Sequence, residues 1–240
     1  MNLIFDFGNS LTKYFFIQDD KVIDRGSFIS NKVDDNLLAI KNKRSIEKLI
    51  YSSVIDDKRD ELSSIFKNSK IISLRDKTIK LPFTNEYKSE TLGDDRVALV
   101  SAGLSLYPNQ DLLIIDIGTC ITYDIVTMNK KYLGGSISPG FNLRYSSLSD
   151  RTSNLPKLEF KTPKSLIGDS TEEHIHAGIY YGIIGEISSN IERQKVRFPN
   201  IEIIVSGGGS NFLFNKIKNV IFADQDFLAH GLNHILQTNS

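Results

Sequence analysis

The chain has 240 residues, of which 40% are hydrophobic and 24% charged, and its 29 basic residues balance its 29 acidic ones. A net charge of zero gives no general attraction to nucleic acid or to an anionic membrane, so any phosphate must be bound by a local site. One cysteine, Cys120, excludes an intrachain disulfide and is typical of a reducing compartment. The sequence lacks an apolar run of about 20 residues and a basic, apolar start, so we expect a cytoplasmic protein without a signal peptide.

The first half begins with three short apolar runs separated by turn residues. This pattern predicts an antiparallel meander of strands at 3–7, 12–17 and 22–28. Helical and strand patterns then alternate. Helices are predicted at 34–43, 57–68 and 93–106, and strands at 49–54 and 70–74.

The second half opens in the same way, with predicted strands at 112–116, 121–126 and 132–137. Helices at 141–149 and 171–192, a strand at 201–205 and a helix at 227–236 follow. The segments DFGNS at 6–10 and DIGTC at 116–120 open the two halves, which indicates an internal duplication. We therefore predict an α/β chain of two related domains, 1–110 and 111–240, with an interdomain cleft that suits a ligand.

A strand that ends in Asp-x-Gly and turns tightly into the next strand can bind phosphate. The glycine lets an anion approach the backbone, and the turn amides with the hydroxyl of Ser10 or Thr119 can donate to phosphate oxygens. The aspartate can hold a cation that bridges phosphates. One such turn is equally typical of an ordinary hairpin, but two copies in two similar halves indicate a nucleotide site. Lys13 either reaches a phosphate or is a solvated strand residue.

A glycine run at 207–209 follows the predicted strand 201–205. Without side chains, Gly207 and Gly208 leave a flat gap that suits an adenine or a ribose. Alone, such a run is typical of a flexible turn. Beside two phosphate turns it is better explained as the adenosine-binding part of the same site.

The start of the predicted helix 93–106 combines acidic residues with an arginine. The helix dipole favours Asp94 and Asp95 there but disfavours Arg96, unless an anion lies nearby. A substrate carboxylate held by Arg96 and the helix N-terminus explains the arginine. An adjacent aspartate can then accept a proton from a substrate hydroxyl, and the residues alone leave both Asp94 and Asp95 open as that base.

These elements resemble the superfamily of acetate kinase, sugar kinases, heat-shock 70 and actin. Within it, the chain is similar to the type III pantothenate kinases in four ordered motifs: DFGNS at 6–10, GDDR at 93–96, DIGT at 116–119 and GGSISPG at 134–140. The resemblance implies two actin/ribonuclease H-like domains with mixed sheets. It also implies ATP-dependent phosphorylation of pantothenate to 4'-phosphopantothenate, the first step of coenzyme A biosynthesis.

The same resemblance implies roles for individual residues, with Asp95 as the catalytic base. The implied pantothenate-binding residues are Tyr87, Gly93, Asp94, Asp95, Arg96 and Thr171. The implied ATP-binding residues are Asp6, Phe7, Gly8, Asn9, Ser10, Leu11, Thr12, Lys13, Thr119, Gly207 and Gly208. Asp116 would hold a monovalent cation, K⁺ or NH₄⁺, and Mg²⁺ would accompany ATP. Members form homodimers in which the second subunit completes the pantothenate site.

Two other functions stay open at this point. The chain could be another kinase of the superfamily, acting on a different small hydroxy compound, or a non-catalytic regulator with this fold. Intact Asp6, Asp95, Arg96 and Asp116 argue against a regulator. Cys120 is expected to be a packed small residue and not a nucleophile, because no histidine motif accompanies it.

Overall fold

The structure, a computed structural model, describes residues 1–8, 11–30, 33–87 and 92–240. Contacts group the chain into two units, one formed by Met1–Pro108 with Asp226–Ser240 and the other by Asn109–Gln225. Across the described ranges, no helix is long and apolar enough to cross a bilayer.

The first unit is built on a mixed sheet. The strands of this sheet are β1 (Asn2–Phe7), β2 (Leu11–Gln18), β3 (Lys21–Ile29), β4 (Lys48–Ser53) and β5 (Lys70–Ser73), and the unit also contains the two-residue strand β6 (Thr84–Asn85). Its helices include α1 (Val33–Lys41), α2 (Arg59–Ile65) and α3 (Asp94–Leu106). The sheet order is β3-β2-β1-β4-β5. Strand β2 is antiparallel to both β1 and β3, and β4 and β5 are parallel to β1.

Strand β1 directs alternate side chains to opposite faces of this sheet. Leu3, Phe5 and Phe7 belong to a core that α1 and α2 complete with Leu37 and Leu62. The carboxylate of Asp6 therefore lies on the face away from this core. The end of β1 is where the chain passes from its apolar core to its first polar turn.

The second unit repeats the same plan. Its strands are β7 (Leu112–Ile117), β8 (Cys120–Val126), β9 (Lys131–Pro139), β10 (Glu202–Ser206) and β11 (Ile221–Phe222), and its helices are α4 (Phe141–Arg151), α5 (Thr171–Arg197) and the 3-10 helix Gly208–Leu213. Within the unit the strand order is β11-β10-β7-β8-β9, with the same antiparallel and parallel pairings as in the first sheet. Two mixed sheets confirm the predicted α/β class, and their shared strand order supports the internal duplication.

One face of the second sheet is covered by α4 and α5. Ile183 and Ile187 of α5 are fully buried against strand residues such as Ile115 and Val205. Helix α5 extends to Arg197, beyond the predicted end at residue 192, and the basic residues of its last turn suit the negative end of a helix. The two-residue strands β6 and β11 and the 3-10 helix were not predicted, because such short elements carry no periodic pattern.

The last helix, α6 (Phe227–Thr238), packs against α3 of the first unit. The approach is so close that a Cβ on Gly231 would lie 1.8 Å from the carbonyl oxygen of Ala98. Asn2 of β1 adds a hydrogen bond, its Nδ2 donating to Asn233 Oδ1 at 2.8 Å. The predicted division at 110/111 differs from this grouping in the placement of α6, since an apolar helix face in a sequence does not say which sheet it will cover.

Candidate active site

The first predicted phosphate turn follows β1 and leads into β2. The backbone N–H of Gly8 donates to the carbonyl oxygen of Leu11 at 3.1 Å, and the Gly8 carbonyl accepts from Ser30 Oγ at 2.7 Å. These two contacts fix the entry and exit of the turn. Asn9 and Ser10, both predicted to bind ATP, lie outside the described residues.

The other predicted ATP-binding residues of this turn divide into two groups. Phe7 and Thr12 are fully buried, and Thr12 Oγ1 lies 3.1 Å from Ser30 Oγ. Leu11 and Lys13 are exposed. The side chains of Phe7 and Thr12 therefore hold the turn in place, so that contact with a nucleotide would come from their backbone, whereas Lys13 can reach solvent.

Asp6 is the ionisable centre of the first turn. The strand register places it opposite Lys13 on β2 and Ser52 on β4, and Ser52 Oγ donates to Asp6 Oδ1 at 2.9 Å. Burial raises the pKa of Asp6 above its usual range, the Ser52 hydrogen bond and Lys13 oppose that rise, and the charge of Asp95 adds to it. The charge of Asp95, on α3, therefore acts on Asp6, on β1, as the smallest of these effects.

Helix α3 begins at Asp94, with Gly93 in the extended N-cap position. A Cβ on Gly93 would lie 2.6 Å from Asp95 Oδ1, so the glycine leaves room for that carboxylate to fold back over the helix start. The backbone N–H of Arg96 donates to Asp95 Oδ1 at 2.8 Å. The Asp95 carboxylate is therefore held at the positive end of the helix.

Asp94 has different partners from its neighbour. Its Oδ2 accepts from the backbone N–H of Ser53 at 3.4 Å and lies 3.9 Å from Arg75 Nε. Arg75 also donates through Nη2 to the carbonyl oxygens of Ser53 at 2.6 Å and Ile55 at 3.1 Å. Burial raises the pKa of Asp94, and the nearby Ser53 and Arg75 oppose this rise. Asp94 therefore joins the start of α3 to the loop after β4.

Arg96 is buried, and its guanidinium lies 6.0 Å from the centre of the Tyr87 ring, at the limit of a cation–π contact. Tyr87 itself is 38% exposed. The structure thus brings together Tyr87 and Arg96, two of the residues predicted to bind pantothenate. Within the first unit, Asp6, Asp94 and Asp95 form one cluster of carboxylates, and Arg96 follows Asp95 in the first turn of α3.

The second predicted phosphate turn joins β7 to β8. Asp116 lies opposite Thr122 on β8 and Ser206 on β10. The backbone N–H of Gly118 donates to the Cys120 carbonyl at 2.9 Å, and Thr119 is exposed at the tip. Thr122 Oγ1 is buried and makes no hydrogen bond to any residue that the structure describes.

Gly140, the last residue of the GGSISPG motif, packs directly on this turn. Its backbone N–H donates to the Thr119 carbonyl at 3.0 Å. A Cβ at this position would lie 2.2 Å from the Gly118 carbonyl oxygen and 2.7 Å from that of Thr119. Glycine is therefore required here, because a larger side chain would displace the turn.

The remaining predicted residues of the second unit lie on two elements. Gly207 has a φ of +88°, which a non-glycine residue rarely adopts, and Gly208 is exposed at the start of the 3-10 helix. Thr171 is exposed in the first turn of α5, where Ser170 Oγ accepts from the Glu173 N–H at 3.3 Å. In the described residues, no group of three or more His, Cys, Asp or Glu is arranged to hold a metal.

Two residues of this site were missed from the sequence. Ser52 binds Asp6 directly, and its position at the carboxyl end of a strand parallel to β1 was a usable signal. Arg75 had no such signal, since it follows the edge strand β5 and reaches Asp94 and the 53–55 loop only through the fold.

Comparison with known proteins gives a consistent result. Residues 2–193 match the family model described as type III pantothenate kinase. The type III pantothenate kinase of Christiangramia forsetii is 42% identical over 100% of this chain and 99% of that protein. Those of Flavobacterium psychrophilum and Bacteroides fragilis are 37% and 36% identical, again over at least 99% of this chain and 99% of each protein.

Solved structures extend the likeness to the fold. A Campylobacter jejuni protein assigned to the Baf family of transcriptional activators has a TM-score of 0.63 at 23% identity, covering 99% of this chain and 98% of that one. The Clostridium difficile activator of 2-hydroxyisocaproyl-CoA dehydratase, with bound ADPNP, has a TM-score of 0.57 at 14% identity, covering 99% and 94%. At these identities the likeness shows the fold alone.

Proposed function

The chain belongs to the type III pantothenate kinase family, and from that premise we propose that Asp95 is the general base of its reaction. The reaction is the ATP-dependent phosphorylation of pantothenate, which opens coenzyme A biosynthesis. The observation that carries the assignment is the geometry at the start of α3, where the Asp95 carboxylate lies beside Gly93 and accepts from the Arg96 N–H at 2.8 Å.

Phosphoryl transfer requires positioning and charge neutralisation more than covalent help from the protein. In the proposed reaction, Asp95 takes the proton from the pantothenate hydroxyl. The hydroxyl oxygen bonds to the γ-phosphorus of ATP while the bond from that phosphorus to the bridging oxygen of ADP breaks. Arg96 binds the carboxylate of pantothenate, and Tyr87 packs beside it. Gly93 and Asp94 complete the substrate-binding segment.

The contacts of the two neighbouring carboxylates favour Asp95 as the base. Asp94 Oδ2 accepts from Ser53 and faces Arg75, so it is engaged in joining two backbone segments. The Asp95 carboxylate accepts a hydrogen bond from the Arg96 N–H of its own helix turn, and no ion pair to Asp95 is found among the described residues. Asp94 is therefore proposed to position the loop and the helix start.

We assign ATP binding to Asp6 and the turn that ends at Lys13, and also to Thr119, Gly207 and Gly208. Mg²⁺ bound with ATP supplies neutralisation of the phosphate charge, and it is commonly held by substrate phosphates with only one or two carboxylates.

A monovalent cation, K⁺ or NH₄⁺, is assigned to Asp116. Such ions take oxygen ligands, and the Thr122 hydroxyl directly opposite Asp116 is buried without a hydrogen-bond partner among the described residues. An oxygen in that condition is destabilising unless something occupies its lone pairs. The donor set at this point of the β7–β8 pair therefore fits the ion.

We further propose that the protein is a cytoplasmic homodimer formed through the start of α5. This region has a cavity of about 560 Å³ that Gly178 and Tyr181 line together with Leu166 and Ile167, which are 68% and 83% exposed. A Cβ on Gly178 would meet no atom within 4 Å, so the helix backbone is open to close approach. Thr171 lies in the first turn of the same helix, where a second subunit could share it in the pantothenate site.

The dimer is tested by mass in solution. Tyr181→Arg should convert the dimer to a monomer and raise the KM for pantothenate, whereas Val196→Arg, at an 86% exposed position of the same helix, should change neither. A wild-type protein that is monomeric and fully active would refute the shared site.

The function is tested by incubating the purified protein with ATP, Mg²⁺ and pantothenate, in potassium or in sodium. We expect 4'-phosphopantothenate in potassium or ammonium and little in sodium. Equal rates in sodium and potassium would contradict the assignment of a K⁺ or NH₄⁺ site to Asp116. If ATP binds but no product forms in either salt, the phosphoryl acceptor would be another small hydroxy compound, or the protein would be a non-catalytic regulator.

A further inference from the structure

Glu186, in the middle of α5, accepts hydrogen bonds from side chains of three other elements. Its Oε1 accepts from Tyr123 Oη of β8 at 2.7 Å and from Ser138 Oγ of β9 at 2.5 Å. Its Oε2 pairs with Arg144 Nη2 of α4. One carboxylate thus joins β8, β9 and α4 to the long helix.

The charges of this network are fixed. Burial alone would raise the pKa of Glu186, but the hydrogen bonds from Ser138, Tyr123 and Arg144 outweigh it and lower the pKa. Burial and the adjacent carboxylate raise the pKa of Tyr123, so its hydroxyl remains a donor. A Glu186 carboxylate that is ionised at neutral pH, with donors that keep their protons, is suited to holding geometry and not to moving a proton.

The stabilising value of such a network is small. A partly buried ion pair loses in desolvation much of what it gains in attraction, and apolar residues of similar volume are often as stable. Glu186 and Arg144 are only 31% and 22% exposed. What the network provides that apolar residues would not is a fixed direction for each of its donors.

Two of these donors, Ser138 and Arg144, connect Glu186 to the segment that packs on the second phosphate turn. Arg144 Nε also donates to the Pro139 carbonyl at 2.8 Å, so Ser138 and Pro139 are both tied to the Glu186–Arg144 pair. Gly140 follows, and it is in contact with the turn through its N–H bond to Thr119. The segment 138–140 therefore has Glu186 on one side and the turn 118–119 on the other.

We propose that Glu186 is a positioning residue for ATP binding, which acts by holding the segment 138–140 against the turn that carries Thr119. The proposal rests on the assignment of Thr119 to ATP in the proposed function. It predicts that a loss of charge at Glu186 weakens nucleotide binding and leaves pantothenate binding through Arg96 unchanged.

The test variant is Glu186→Gln, which keeps the size and the acceptor oxygen but loses the charge facing Arg144. We expect the Kd for a non-hydrolysable ATP analogue, measured by titration calorimetry, and the KM for ATP to rise about tenfold, as for the loss of one charge-assisted hydrogen bond. The KM for pantothenate should stay within about twofold. Glu192→Gln, at an exposed position of the same helix, is the matched control and should change neither.

Ser138→Ala removes a single donor and keeps the fold testable if Glu186→Gln unfolds; we expect a rise of about threefold in the same two quantities. A lower melting temperature with unchanged ATP affinity, or an equal change in both KM values, would overturn the proposal and leave Glu186 a purely structural residue. Because the titration needs no turnover, it decides the role of Glu186 even if the wild-type protein fails to phosphorylate pantothenate.

Discussion

The two phosphate turns share one sequence motif but have different surroundings. At the first, Asp6 interacts with the charges of Lys13 and Asp95, and burial raises its pKa. At the second, the turn is fixed by backbone contacts, from Gly118 to Cys120 at 2.9 Å and from Gly140 to Thr119 at 3.0 Å. The first turn thus has Lys13 and Asp95 as charged neighbours of its aspartate, and the second has the segment 138–140 packed against its backbone.

This difference indicates how a duplicated motif can divide its tasks. In the proposed function the acceptor chemistry belongs to the start of α3 in the first unit, where Asp95 and Arg96 are adjacent. The proposed frame for the nucleotide belongs to the second unit, where Gly140 contacts Thr119 and Glu186 is proposed to hold the segment 138–140. Substitutions at Asp95 and Arg96 should therefore affect turnover and pantothenate, and those around the second turn should affect ATP.

The largest effect is expected from Asp95→Asn. Loss of a general base typically lowers turnover by about 10² or more, and the affinity for ATP should remain close to that of the wild type because the ATP-binding residues are intact. Steady-state kinetics with a nucleotide titration measure both quantities. Asp94→Asn is the matched comparison, and we expect it to retain much more activity; the reverse order would make Asp94 the base.

Arg96→Ala should raise the KM for pantothenate by roughly tenfold to a hundredfold, the usual cost of a lost hydrogen bond to a charged group. Arg96→Lys should recover only part of this, since lysine keeps the charge but not the planar fork that binds a carboxylate. Kinetics with pantothenate varied at saturating ATP provide the measurement. An effect confined to the KM for ATP would contradict the division between the two units.

Gly140→Ala should weaken ATP binding by about tenfold, because the added methyl group collides with the Gly118 and Thr119 carbonyls. Overpacking of this kind typically costs 1–3 kcal/mol. Titration with an ATP analogue gives the affinity, and Ser147→Ala, on the exposed side of α4, is the control. Unchanged affinity in Gly140→Ala would show that the turn does not depend on this contact.

The smallest effect concerns stability. The pKa of Asp6 is higher in the folded protein than in the unfolded chain, so between these two values the folded state binds more protons. The free energy of unfolding therefore falls as pH rises through that window, and ionised Asp6 costs stability at neutral pH. Asp6→Asn should stabilise the protein by on the order of 1 kcal/mol at pH 7, while lowering activity.

Thermal unfolding of the wild type and of Asp6→Asn is measured at pH 7 and again at a pH below the usual pKa range of carboxylates. The stability gained by Asp6→Asn should vanish at the lower pH, where Asp6 is protonated in both the folded and the unfolded state. Asp19→Asn, at an exposed turn position, is the control and should show no gain at either pH. A destabilised Asp6→Asn at neutral pH would mean that its ionised form is favoured by the fold.

Much of the fold could be predicted because each half repeats a short apolar strand followed by Asp-x-Gly. The placement of α6 could not, since Gly231 reveals its close partner Ala98 only in three dimensions. At the site, the motif at 93–96 located the charged cluster. The network around Glu186 could not be found in the same way, because its donors come from residues 123, 138 and 144, which share no motif.

Asp95→Asn and Gly140→Ala, titrated side by side with a non-hydrolysable ATP analogue and Mg²⁺, test the division of tasks most directly. We predict that Asp95→Asn binds the nucleotide as the wild type does while transferring almost no phosphoryl group to pantothenate, and that Gly140→Ala binds it about tenfold more weakly. Weak binding in Asp95→Asn together with normal binding in Gly140→Ala would contradict the account.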